Sequence, residues 1–381
     1  MAIICLQLSY AQETQIIGYL QSWKWIDEQD RLHLEHIPFE KLTVINYSFF
    51  YSLESGHLVG MDPMADAYFL DGKTKSRFPW FNSPKSIFHY ARRHQTKVIL
   101  SIGGWDHSQH FPTVSASPEK RAIFAHDCAN LMRKYEFNGI DIDWEFPGYK
   151  NHGGSPADRD NFTLLLQAVR DSLDYIEEKN GTRYLLTASL PAASGHLPDL
   201  DIVSITPLLD YFNIMTWDLF GSWGEVSNHN AALFGPRAGD STRCFDGAFK
   251  LYHIDHGVPA EKINLGAAFY GHSYSECDSL YSSHSGADKS YFTAGDLLYS
   301  KMSAKSEQFD KHWDERAQAP YWINTEQQLL LSLDDEKSVG LKADYILQNK
   351  AGGLLIWPLM GDYTEEGTTS LLDVIQEKFN K

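Results

Sequence analysis

Three acids fall on alternate positions of one apolar run: Asp141, Asp143 and Glu145, inside FNGIDIDWEFPG, Phe137 to Gly148. Alternate residues of a β-strand share a face and lie about 6.6 Å apart for each two-residue step. Ile140, Ile142 and Trp144 take the opposite face. Stacked carboxylates raise one another's pKa, because like charges resist joint ionisation. A ladder of three can therefore hold a shared proton and keep Glu145 protonated near neutral pH. A general acid that protonates a glycosidic oxygen has that requirement. Inward acids have two other uses, a hydrogen-bonded plug and a Ca²⁺ or Mg²⁺ site.

The elements that carry this ladder alternate along nearly the whole chain. Strand-like runs read as QIIGYL, LTVINYSFF, TKVILSIGGW, GIDIDWEF, RYLLTASL, YFNIMTW, KINLGAAFY and GGLLIWPL. Helical patterns lie between most of them, among them PKSIFHYARRH, PEKRAIFAHDCANLMRKY and DRDNFTLLLQAVRDSLDYIEEKN. Strands separated by helices pair in parallel. Eight such units predict an α/β fold, a (β/α)8 TIM barrel, with a doubly wound open sheet as the second choice. In a barrel the Ile140 face packs on helices and the acids point inward. Glu145 then sits at the C-terminal end of strand 4, where barrel enzymes keep their chemistry. About 80 residues separate LGAAFYG from GGLLIWP, too many for one crossover helix. The expected organisation is a barrel over 12–272 and 345–381, with a small α+β insertion domain over 273–344 after strand 7. Residues 1–11 read as a remnant of an export signal.

Composition narrows the partners. The chain has 381 residues, 43% of them hydrophobic, and a formal net charge of −17. It contains no dense Lys/Arg block, so neither nucleic acid nor an anionic membrane surface is an expected partner. No apolar run approaches the ~20 residues that span a bilayer. Aromatic residues make up 13%, including ten Trp, and sugar rings stack on such side chains. The 16 His are scattered without ligand spacing, so no metal and no cofactor is expected. Cys128 falls on the buried face of a helical pattern, and a Cys244–Cys277 disulfide is open to an exported chain.

NGIDIDWE resembles the DGxDxDxE signature of the family 18 glycoside hydrolases, the chitinases and their relatives. Other runs extend the resemblance from about Gln15 to Tyr363: IIGYLQSW, INYSFF, ILSIGGW, MTWDLFGSWGEVSNHNAAL, LGAAFYGHSY, YWINTEQQLLLSLDDEKSVGLKADYIL and GGLLIWPLMGDY. It implies a secreted monomer acting on chitin or an N-acetylglucosamine-containing oligosaccharide. It also implies a retaining, substrate-assisted mechanism, outside the usual two-carboxylate scheme. Glu145 would be the acid and base, Asp143 would hold the acetamido N–H, and Asp141 would tune Asp143. Trp357 would floor the subsite of the cleaved sugar, with Asp218, Tyr270, Met215, Tyr19 and Phe49 around it. Trp105 and Trp223 would stack on the leaving side. Ser101, Gly103 and Gly104 would let strand 3 approach the ladder, and Trp357–Pro358 would be cis.

Three positions depart from that pattern. Asn138 replaces the first Asp of the signature and reads as a strand-start residue. Trp217 stands where relatives place a Tyr that contacts the N-acetyl oxygen, and His272 stands where they place an Arg. Both are expected to shape substrate binding. The competing functions are an endo-β-N-acetylglucosaminidase of the same fold and a non-catalytic chitin-binding lectin. Lectin relatives commonly lose the acid at the Glu145 position, so its presence favours an enzyme.

Overall fold

Eight parallel strands close on themselves in the computed structural model, which describes residues 14–25, 33–72, 85–289, 297–364 and 367–380. They are β1 Gln15–Gln21, β2 Val44–Ser52, β3 Lys97–Gly103, β4 Gly139–Asp143, β5 Leu185–Pro191, β6 Tyr211–Met215, β7 Ile263–Ala268 and β8 Gly353–Trp357. Each pairs in parallel with the next, and β1 pairs with both β2 and β8, which closes the (β/α)8 barrel. The open-sheet alternative is thereby excluded. Residues 1–11 lie outside the described residues, as do 290–296. No described helix is long and apolar enough to cross a membrane.

Side-chain parity sorts β4 as its sequence demands. Ile140, Ile142 and Trp144 are 0 to 1% exposed and join the core between barrel and helices. Trp144 stacks on Phe111 at 5.3 Å and meets Phe162 edge-on at 5.7 Å. Phe162 belongs to the helix Asp158–Asn180 that follows β4. Inside the barrel a second cluster forms from Ile17, Tyr19, Val44, Phe49, Ile99 and Leu355.

Local signals explain the helix ends. Helix Pro118–Tyr135 starts with Pro118 behind Ser117, whose hydroxyl accepts from the Lys120 N–H. Arg133 and Lys134 lie in its last turn, against the negative end of the helix dipole. Cys128 is buried on its inner face. Cys244 and Cys277 are free thiols: Cys244 Sγ accepts from Gly247 N–H at a helix start, while Cys277 Sγ faces the Ser279 carbonyl.

Between β7 and β8 the chain builds a separate four-stranded antiparallel sheet. Its strand order is Asp310–Asp314, Ala319–Asn324, Leu329–Ser332, His272–Ser275. Helix Glu336–Asn349 then leads back into the barrel.

Candidate active site

The three acids of β4 descend from rim to interior, and each meets a different environment. Asp141 is fully buried. Its Oδ2 accepts from Tyr19 at 2.7 Å and Ser101 at 2.8 Å, and its Oδ1 from Thr187 at 2.5 Å and Asn213 at 3.1 Å. These donors come from β1, β3, β5 and β6, so one carboxylate ties half the barrel together. Asp141 thus forms the hydrogen-bonded plug. A hard cation would need oxygen ligands there, not O–H and N–H donors.

Asp143, one step up, is 4% exposed, and its Oδ1 has no hydrogen-bond partner. Burial first, then Glu145 and Asp141, hold its carboxyl well above the ordinary range. Glu145 follows at the strand end. Its backbone is held from two sides: its N–H donates to Ser108 Oγ at 2.9 Å, and its carbonyl accepts from His152 Nδ1 at 2.8 Å. Burial, then Asp218 and Asp106, push its carboxyl up to about 8.

Close approach of β3 depends on its two glycines. Gly103 has φ +123°, and a Cβ there would lie 2.1 Å from the Asp143 carbonyl oxygen. At Gly104, with φ +89°, a Cβ would lie 2.9 Å from the Phe49 ring. Asn138 is confirmed as a strand-start residue, since its Oδ1 accepts from Val98 N–H at 2.8 Å.

Above the acids lies a cavity of about 310 Å³. Its floor is aromatic: Trp357 stacks with Phe49 at 6.0 Å and meets Tyr19 edge-on at 5.8 Å. Trp23 stacks on Phe49 at 5.9 Å. Asp143, Glu145, Met215, Trp217, Asp218 and Trp105 complete much of the wall. Cis peptides occur at Ser48–Phe49, Glu145–Phe146 and Trp357–Pro358, the last as expected. Trp217 covers Gly266, where a Cβ would come within 2.5 Å of its ring.

Tyr270, His272 and Trp223 gather around Asp218 rather than lining this cavity. Tyr270 and His272 lie behind Asp218, donating to its Oδ1 at 2.6 Å and 2.7 Å, and Trp223 meets the His272 ring at 5.2 Å. Asp218 itself lines the cavity, and Tyr270 and His272 brace its carboxylate. Asp218 adopts φ +52°, and Asn230 holds it there by accepting its N–H at 2.8 Å. Trp23, Met61, Asp106, His107 and Ser189 also line the cavity. Of these, Ser189 was open to the parity argument, since it shares the inward face of β5 with Thr187.

The chain matches the model of the family described as glycosyl hydrolases family 18 over residues 15–362. It is 30% identical to chitinase A1 of Niallia circulans, across 92% of this chain and 57% of that protein. Chitinase ChiA74 from Bacillus thuringiensis superposes with a TM-score of 0.85 at 28% identity, covering 97% of this chain and 70% of that one. A family 18 N-acetylglucosaminidase from Paenibacillus barengoltzii superposes with a TM-score of 0.79 at 27% identity, covering 96% and 99%.

Proposed function

Because this chain belongs to the glycosyl hydrolases of family 18, we propose that it cleaves β-1,4-linked N-acetylglucosamine oligosaccharides with retention, using the substrate's own acetamide as nucleophile. The observation that carries this reading is the unpartnered Asp143 Oδ1, buried on the cavity wall near Glu145, whose carboxyl burial pushes up to about 8. A buried acceptor without a donor is costly unless a ligand supplies one. An acetamido N–H does so.

In this scheme the sugar lies on Trp357. Glu145 protonates the leaving oxygen while the acetamido carbonyl attacks the anomeric carbon, and the glycosidic bond breaks. Asp143 accepts the acetamido N–H through its unpartnered Oδ1 and so orients the carbonyl for attack. Glu145, now ionised, takes a proton from the incoming water, which opens the ring and regenerates the acid. Asp141, through its four donors, keeps the interior below Asp143 fixed. Trp217 presents an indole N–H donor in place of a phenol, at a different reach.

We take the unit of function to be a monomer. We assign residues 273–344 as the insertion that raises one wall of the groove, entering through His272. The same machinery would serve an endo-β-N-acetylglucosaminidase, and one experiment separates the two. Chitotetraose is expected to be hydrolysed faster than a biantennary N-glycan, and Glu145→Gln is expected to lose at least ~10³-fold in kcat. Faster glycan cleavage would favour the rival enzyme. Binding of chitotetraose with no cleavage of either substrate would leave a lectin.

A further inference from the structure

The cavity wall carries more negative charge than a neutral sugar requires. Besides the raised carboxyls of Asp143 and Glu145 it holds two further acids, Asp218 and Asp106, and no Lys or Arg is among its described lining residues. Asp218 is engaged by Tyr270 and His272. Asp106 is not engaged. It is exposed on the short turn Trp105–His107 past β3 and makes no hydrogen bond or salt bridge among the described residues. Beside it Trp105, 48% exposed, is braced by Tyr149 at 5.4 Å and His152 at 5.0 Å. A sugar ring stacked on Trp105 would present its substituents to a free carboxylate.

We propose that Asp106 is a specificity residue that binds the ammonium of a de-N-acetylated glucosamine unit, so that partly de-N-acetylated chitooligosaccharides are preferred over fully acetylated ones. The inference rests on the reading given under Proposed function. A separate observation limits it to mixed substrates. The buried, unpartnered Asp143 Oδ1 asks for an acetamide N–H at the cleaved unit, so the free amine belongs on a neighbouring unit. A carboxylate pairs with an ammonium through a charge-assisted hydrogen bond, and a neutral acetamide offers no such charge.

The test compares kcat/KM on chitotetraose and on tetramers carrying one glucosamine, below neutral pH where the amine is charged. The wild type is expected to favour a mixed tetramer about fivefold or more, a figure discounted for an exposed pair. In Asp106→Asn that ratio should fall close to one, mainly through KM, whereas Asp106→Glu should retain part of it. Added salt should erode the wild-type preference. An unchanged ratio in Asp106→Asn overturns the inference and leaves the chitin-cleaving reading intact. Failure of the wild type to cleave any tetramer overturns both. Cleavage of a fully de-N-acetylated tetramer would overturn the acetamide requirement on which the mixed-substrate argument depends.

Discussion

Burial first, and then two acidic neighbours in the cavity wall, Asp218 and Asp106, raise the Glu145 carboxyl. Replacing Asp218 by Asn removes the neighbour with the larger effect, so the Glu145 carboxyl should titrate lower. The alkaline limb of kcat/KM against pH is then expected to move acidward by about half a unit to one unit, whatever happens to the absolute rate. An unmoved limb would mean that Asp218 does not help to raise the acid. At this scale the inward acids were legible because strand parity is strict: one residue's offset would send all three to the helix side. The rim was not legible. Trp23, Asp106 and His107 follow strand ends, where no periodicity operates. Gly103 and Gly104, both at positive φ, turn the chain so that Trp105 and Asp106 reach the cavity.

The inserted sheet is tied to the barrel by a charge pair that water does not reach. Lys342, on helix Glu336–Asn349, and Asp334 are 0% and 1% exposed and form a hydrogen-bonded ion pair. Asp334 also accepts from the Ala268 N–H at the end of β7 and from Ser338 Oγ. The pair thus links that helix to the strand that leads into Tyr270. Lys342→Ala strands a buried carboxylate and is expected to cost about 3 to 5 kcal/mol, read as a lower urea midpoint at unchanged slope. Lys342→Met with Asp334→Asn should cost less, since it leaves no lone charge. Among the elements, helix Pro118–Tyr135 was readable end to end because its proline and basic last turn mark it. The inserted strand Asp310–Asp314 was not. It is polar, mostly exposed and paired on one side only, so nothing apolar announces it.

Across the whole molecule, several acids are buried at a cost that depends on pH. Burial raises Asp66 to about 6, Asp362 to about 7 and Glu145 to about 8, all from ordinary carboxylate values. Between pH 4 and pH 8 these three acids bind more protons in the folded chain than in the unfolded one, and their contribution to stability falls as pH rises through that window. A smaller opposite effect comes from His89, His107 and His196, whose imidazoles are lowered by burial. Asp314 is held well below the ordinary range by His229 and Tyr281, so its contribution is lost only on strong acidification, outside this window. The net charge of −17 adds self-repulsion in the same direction as the buried acids. Thermal unfolding is thus expected at higher temperature at pH 5 than at pH 8.5, by at least about 4 °C. The triple variant Asp66→Asn, Glu145→Gln, Asp362→Asn should flatten most of that slope and unfold later than the wild type at pH 8.5. A wild-type midpoint that rises from pH 5 to 8.5 would show that these acids are solvated when folded. Part of the cost is functional: the burial that keeps Glu145 protonated for catalysis also destabilises the fold at alkaline pH. Glu145→Gln alone should then give a more stable protein at pH 8.5 that has lost its activity.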